Sequence, residues 1–372
     1  MSGSPQLEVL SPGAFASVQD LGRRGYRRMG VPWAGALDLG LMRLANALAG
    51  NAPGQPVIEC FDGGQQFSAR GGALRVAVAG DVAVELHSAG ERRVFPAWRS
   101  FTLADGEQLR LGRMPRGRIA IVALAGLALP LVLGSAATYA RAGLGGLDGR
   151  VLTAGARLPA VAAPDLPEQM LAQQPAGSGG PIRVITGPQA DHFSDQALAT
   201  LFSAEYRVST DADRMGVRLE GPALTHRGAP EIVSDATVPG SIQVPGNGQP
   251  IVLLADAQTA GGYPKIATVV SADLGRMAAA RPGQMLRFER VDAATGEQLA
   301  REAERRTLAL LATLRPLLAE GVDEAALYNS NLVSGVLHAL SAEYIPQPHL
   351  LPHPVTAPPV GSGALPQRSK PA

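Results

Sequence analysis

The sequence predicts a mainly β fold with some α, built from short strands and divided into two lobes. Three observations carry this expectation. Glycine (44) and proline (30) are frequent among the 372 residues, which shortens helices and multiplies turns. Short runs rich in β-branched residues recur between those turns, the pattern of sandwiches or barrels. Helical periodicity is confined to a few segments.

Along the chain, Leu37–Leu48 places apolar residues at 37, 41, 44, 45 and 48 behind Asp38, and predicts a capped amphipathic helix. Strands are expected at Arg75–Ala79 and Val82–His87, then at Gln108–Leu111 and Ile119–Leu124. Ala104-Asp105-Gly106-Glu107 carries the residues of a hairpin turn. Residues 159–180 are rich in Ala, Pro, Gln and Gly and predict an inter-domain linker. The lobes then span 7–158 and 181–292.

In the second lobe, strands are expected at Ile182–Thr186, Ile251–Leu254, Ala267–Ser271 and Met285–Glu289, with a helix over Asp191–Ala204. An amphipathic helix rich in Ala, Leu, Glu and Arg is expected over 296–318. Residues 320–372 form an accessory tail with a short helix over Tyr328–Leu340 and a Pro-rich, partly disordered end from His349.

Composition excludes several functions. The net charge is +1 and Lys and Arg form no long run, which argues against nucleic acid, and the scarcity of aromatics argues against base-stacking platforms. The single cysteine, Cys60, rules out an internal disulfide framework and fits a reducing, cytoplasmic compartment; without a neighbouring base it reads as a buried apolar residue. Met1–Leu10 lacks the basic and apolar regions of a secretion signal. The uncharged stretch Ile119–Ala140 is broken by Gly126, Pro130 and Gly134, which predicts a strand, a turn and a second apolar segment rather than a membrane helix. There is no Walker-type loop, no Gly-x-Gly-x-x-Gly, no Gly-x-Ser-x-Gly elbow and no Ala-Met-Lys-Met biotinylation motif. The chain therefore carries no covalent biotin, and none of its six histidines implies a metal centre.

Three segments are denser in Gly, Pro, Asp, Ser and Gln than a fold requires. The first runs from Val18-Gln19-Asp20-Leu21-Gly22-Arg23 to Asp38, and reads either as a close-approach loop or as a structural loop with a capping Asp. The second is Thr210–Leu219, in which Arg214 and Arg218 either hold a carboxylate or pair with Asp211, Asp213 or Glu220. The third, 232–265, is the most informative. It contains Ser234, Asp235, Gly240, Ser241, Gln243, Asp256, Gln258, Thr259, Gly261, Gly262, Tyr263 and Lys265. Gln243 and Gln258 each offer a donor and an acceptor, which suits an amide or urea. Asp235 or Asp256 suits a general acid or base, Lys265 suits developing negative charge, and glycine-rich backbone suits an oxyanion. The alternative is tight β-turn chemistry.

At these residues the sequence resembles a family. Ser234-Asp235 with Gly240-Ser-Ile-Gln-Val-Pro245, Asp256-x-Gln-Thr-x-Gly-Gly-Tyr-Pro264 and Asp213-Arg-Met-Gly-x-Arg-Leu-x-Gly221 resemble hallmark segments of the biotin-dependent carboxyltransferase subdomain A and B family. Val18-Gln-Asp-Leu-Gly-Arg23 and Gly134-Ser135 through Thr138-Tyr139, Arg141 and Gly146 match as well, so the resemblance spans about residues 7–318. The family includes the 5-oxoprolinase C subunit, formerly called allophanate hydrolase subunit 2, part of urea carboxylase, and an antagonist of a sporulation-kinase inhibitor.

The resemblance implies two β-barrel-like, cyclophilin-like subdomains and work in complex with a B-type and an A-type partner chain. It implies ATP-dependent opening of a small cyclic amide, 5-oxoproline, to glutamate, with ATP used by the complex. The alternatives it leaves are a carboxyl-transfer module that receives carboxybiotin and acts on urea or another small amide, and a non-catalytic antagonist of a B-type regulatory partner. The sequence departs from the family pattern at Ala136-Ala137, where many relatives carry Arg and Ser, and at Val31-Pro32-Trp33-Ala34. A missing Arg beside a cleft removes an anion contact.

Overall fold

The computed structural model describes residues 4–88, 90–177, 179–317, 335–337 and 344–346. It divides into two units, Met1–Leu317 and Leu318–Ala372. In the second, the described residues are strands Gly335–Leu337 and Tyr344–Pro346, paired antiparallel. A strand at Gly335–Leu337 replaces that part of the helix expected over Tyr328–Leu340; the rest of that helix, and the expected disorder from His349, lie outside the described residues.

The first unit is mainly β, as expected, and its sheets are barrel-like. One sheet has the order Arg157–Pro159, Gln6–Pro12, Gln65–Arg70, Gln108–Leu111, Ala83–Ser88, Glu91–Pro96. A second has the order Phe15–Gln19, Val57–Phe61, Ile119–Leu124, Leu74–Ala79, Arg99–Leu103, Gln169–Leu171, Leu314–Pro316. Ile119–Leu124 is buried at every position, because α1 (Leu39–Ala49) packs against it and against Leu74–Ala79. That double cover is why its apolar residues run without alternation. Within the described residues, no helix is long and apolar enough to cross a membrane.

The third sheet has the order Met285–Leu286, Tyr206–Val208, Gly216–Glu220, Ile251–Leu253, Ser241–Gln243, Lys265–Val269, Ile182–Thr186, Phe288–Arg290. Its first and last strands are separated in the chain by Arg287 alone, so the two edges of the sheet meet. The strand expected over Met285–Glu289 is thus two strands, and the break between them nearly closes the barrel. One hydrophobic core runs through all three sheets, from Val76 and Ile121 to Val184 and Ile242.

Several local expectations are corrected. The turn at 104–107 exists, with the Glu107 amide donating to the Ala104 carbonyl at 2.9 Å, but it makes no hairpin. Arg99–Leu103 and Gln108–Leu111 belong to different sheets, so the turn is a corner between layers. The strand expected at Ala267–Ser271 ends at Val269, and a helix, α3 (Ser271–Ala278), follows. It follows α2 (Asp195–Ser203), where the expected helix over Asp191–Ala204 starts instead as a 3₁₀ turn, Ala190–His192.

The last helix, α4 (Ala293–Leu311), starts earlier than expected because the Asp292 side chain accepts from the Thr295 amide at 2.7 Å. It ends earlier because the chain turns into Leu314–Pro316, which pairs with Gln169–Leu171. The stretch 159–180 is therefore not free of structure. Arg75 donates to the carbonyls of Pro164, Leu166 and Pro167, pinning it to the first lobe's sheet.

Candidate functional site

The segments singled out by composition meet where the two lobes join. A cleft of about 140 Å³ is lined by Gln19, Thr138, Tyr139, Arg141, Arg214 and Asp256, among others. Four of the five family-like segments thus contribute to one cavity.

Arg214 organises it. It leaves the Asp213–Gly216 turn, whose shape is held by Asp213 Oδ1 accepting from the amides of Met215 (2.8 Å) and Gly216 (3.2 Å). The guanidinium donates from Nε to Asp256 Oδ2 at 3.0 Å and from Nη2 to Asp256 Oδ1 at 2.9 Å. Its Nη1 donates to Glu59 Oε1 and its Nη2 also to the Gly35 carbonyl at 2.7 Å. Glu59 in turn accepts the Leu37 amide at 2.8 Å. A second-lobe arginine thus bridges a first-lobe carboxylate and a second-lobe one.

Burial pushes the Glu59 carboxyl above its ordinary value, against the opposing pull of Arg214. Burial pulls the Arg214 guanidinium down, but the Glu59 and Asp256 charges outweigh it and hold it above its ordinary value. Arg214 is therefore charged at any working pH, and Asp256 is fixed in place while part of its surface still meets the cleft.

The opposite wall is built by the first lobe. Gln19 is fully buried and donates to Ser17 Oγ (2.8 Å) and the Thr138 carbonyl (3.3 Å), while accepting the Gly35 amide (3.1 Å). Asp20 accepts from Gly22 N, Ser135 Oγ and Ala136 N at 2.8, 2.6 and 2.6 Å, fastening the 134–146 segment. Arg23 donates to the carbonyls of Val132 and Ala137. Gly145 has φ +65°, and a Cβ there would lie 2.1 Å from the Ala137 carbonyl oxygen and 2.5 Å from Arg23 Nη2, so only glycine fits. Ala136 and Ala137 are fully buried. The cation of this wall is Arg141, which is exposed, lines the cleft, and makes no side-chain hydrogen bond or ion pair among the described residues.

The remaining expected site residues form a second cluster. Gln243 is buried; its Nε2 donates to the Tyr263 carbonyl at 3.3 Å and its Oε1 accepts from Gln258 Nε2 at 3.1 Å. A Cβ at Gly261 would lie 2.6 Å from Gln243 Nε2, so the glycine lets the two segments close. Lys265 is 3% exposed, and its ammonium donates to Asp235 Oδ2 at 2.7 Å. That bond, first among several, holds the Asp235 carboxyl below the usual carboxylate range. Asp235 pairs with Gly261 across a two-residue ladder, and Gly262 O accepts from Ile232 N. Ser234 and Tyr263 are exposed beside it.

The other positions shape turns. Ser241 Oγ accepts the Val238 amide at 3.1 Å; Gly240 N donates to Leu253 O; Thr259 O accepts from Thr237 N. Arg218 lies on the exposed face of Gly216–Glu220. The two arginines of the second segment are therefore not a pair: Arg214 turns inward to Asp256 and Glu59, and Arg218 outward. Asp256 is held by Arg214 and Lys265 by Asp235, so the structure divides the expected constellation between the interlobe cleft and the Gln243–Lys265 cluster.

Sequence reasoning passed over Glu59 and Arg141. A glutamate inside the all-apolar strand Val57–Phe61 is a signal in itself, since a buried carboxylate needs a partner. Arg141 was legible only as a member of the family-like segment 134–146, with nothing local to mark it as a cleft residue. Cys60 is fully buried, and burial pushes its thiol up, leaving it unreactive.

The family model "Carboxyltransferase domain, subdomain A and B" matches residues 29–290. The chain is 35% identical over 289 residues to the 5-oxoprolinase C subunit of Escherichia coli (strain K12), covering 76% of this chain and 90% of that protein. It is 35% identical over 301 residues to the 5-oxoprolinase C subunit of Haemophilus influenzae, covering 80% and 95%. Among solved structures, K. lactis urea amidolyase superposes with a TM-score of 0.75 at 27% identity, covering 87% of this chain and 21% of that one. With the family model matched over residues 29–290 and both C subunits covered over most of their length, the chain belongs to the carboxyltransferase subdomain A and B family.

Proposed function

We propose that this chain is the C subunit of an ATP-dependent 5-oxoprolinase and opens 5-oxoproline to glutamate together with a B-type and an A-type partner chain. The observation that carries the reading is the match over 90% of the length of the E. coli 5-oxoprolinase protein, where the urea amidolyase likeness covers only 21% of a longer chain. The cleft supports it by size and chemistry. About 140 Å³ is close to the roughly 150 Å³ cavity that takes one benzene ring, so a single five-membered ring fits. Asp256 offers carboxylate oxygens to a ring N–H, and Arg214 holds that carboxylate in place. With no Walker-type loop in this sequence, nucleotide handling falls to a partner chain in this reading.

The Gln243–Lys265 cluster, at the seam where Arg27 of the first lobe donates to Thr237, has the role of fixing the loop that presents Asp256. The test is glutamate release. The chain co-purified with its partners should release glutamate from 5-oxoproline only when ATP is supplied, and avidin should have no effect. Bicarbonate-dependent turnover abolished by avidin would replace this reading with carboxyl transfer from carboxybiotin, which the fold shared with urea amidolyase also supports.

A further inference from the structure

Arg141 stands out among the charged groups of the cleft because the others each hold partners within the protein. Asp256 takes both of its bonds from Arg214. Glu59 is divided between Arg214 and the Leu37 amide. Asp213 Oδ1 accepts from the amides of its own turn. Gln19 spends its donors on Ser17 and Thr138 and its acceptor on Gly35. Arg141 has none of these ties among the described residues, and the 3₁₀ turn Ala140–Ala142 sets it at the cleft wall. That turn is itself held by the exchange between Tyr139 and Leu144 and by the fastening of residues 135–137 to Asp20 and Arg23. A cation on the wall of a one-ring cleft that Asp256 also lines, with no partner among the described residues, suits an acid that also carries an N–H.

We infer that Arg141 is the specificity anchor for the substrate carboxylate, so that the cleft selects a cyclic amide bearing an acid group over a neutral amide or urea. This deepens the proposed function and rests on it. A guanidinium binds a carboxylate through two parallel bonds, while the amide N–H faces Asp256; a neutral lactam or urea leaves Arg141 unmatched. Arg141 is thereby a binding residue, and the chemistry stays with the Asp256 side.

The experiment measures calorimetric affinities on the full chain and, in parallel, on the assembly it forms with co-expressed partners. The probes are 5-oxoproline, 2-pyrrolidinone (the same ring without the acid) and cyclopentanecarboxylate (the acid without the amide). Arg141 is exposed, so Arg141→Gln should leave the melting temperature unchanged. The variant should lose about ten- to a hundredfold in affinity for both acids and nothing for 2-pyrrolidinone, with Arg141→Lys intermediate. In the assembly the loss should fall on KM more than on kcat. Unaltered 5-oxoproline binding by Arg141→Gln, or equal wild-type affinity for 2-pyrrolidinone and 5-oxoproline, overturns the anchor while leaving the cyclic-amide reading in place. If the wild-type assembly binds none of the probes and releases no glutamate, the proposed function itself fails, and the anchor with it.

Discussion

Arg214 and Asp256 form a two-pronged ion pair, Nε to Oδ2 at 3.0 Å and Nη2 to Oδ1 at 2.9 Å, across 42 positions of sequence. The same guanidinium reaches Glu59, 155 positions away on the other lobe. This pairing joins the lobes and aims the carboxylate of the cleft, and the first predictions come from it.

Asp256→Asn keeps the side chain's shape and withdraws its charge. Turnover of 5-oxoproline by the assembled enzyme should fall by about a hundredfold or more, the usual contribution of a placed acid–base group. Gel filtration should show the assembly intact. Unchanged turnover would remove Asp256 from the chemistry.

Removing the arginine has a different signature. Arg214→Ala leaves Glu59 buried without its cation, and should destabilise the chain by about 3–5 kcal/mol in denaturant titration. Because the cost is the abandoned charge, Glu59→Gln added to Arg214→Met should recover much of it. A double variant no more stable than Arg214→Ala would contradict this.

The Lys265–Asp235 pair is asymmetric, with Lys265 buried and Asp235 half exposed. Lys265→Met leaves a solvated carboxylate, whereas Asp235→Ala leaves a buried ammonium without its anion. Thermal melts should therefore show the larger loss for Asp235→Ala.

Asp273 supplies the pH prediction. Burial alone would raise its carboxyl, but bonds from Arg183 (2.6, 2.8 and 2.9 Å, one of them from the main chain) and Arg276 (3.0 Å) prevail and hold it below the usual range. In acid the unfolded chain then binds more protons at this site than the folded one, so stability rises with pH there. The contribution is complete above the unfolded carboxylate's value, about 3.9, and is lost as pH falls through the lower folded value. Asp273→Ala should cost about 3–5 kcal/mol at neutral pH. The gap from wild type should narrow steadily below about pH 4 in unfolding titrations.

Gly145→Ala places a methyl against the Ala137 carbonyl in a left-handed backbone. It should cost more than about 1 kcal/mol and disturb the wall that carries Arg141. Weakened 5-oxoproline binding together with a lowered melting temperature is the expected result; an alanine variant equal to wild type in both would deny the close approach.

What the sequence alone determined is local. Strands such as Ile182–Thr186 and Ile119–Leu124 stand where their β-branched runs place them, and α1 begins beside its capping Asp38, because these depend on neighbours within a few residues. The family-like segments were legible for the same reason, each being a short run of unusual residues. Tertiary structure decided the rest. It made residues 104–107 a corner between sheets, closed the third sheet through Arg287, and ended α4 at a strand pairing. It paired Asp256 with Arg214, Lys265 with Asp235, and left Arg141 free within the described residues. Which carboxylate an arginine meets depends on where distant backbone is carried and how deeply both charges are buried, and neither quantity is written in any stretch of adjacent residues.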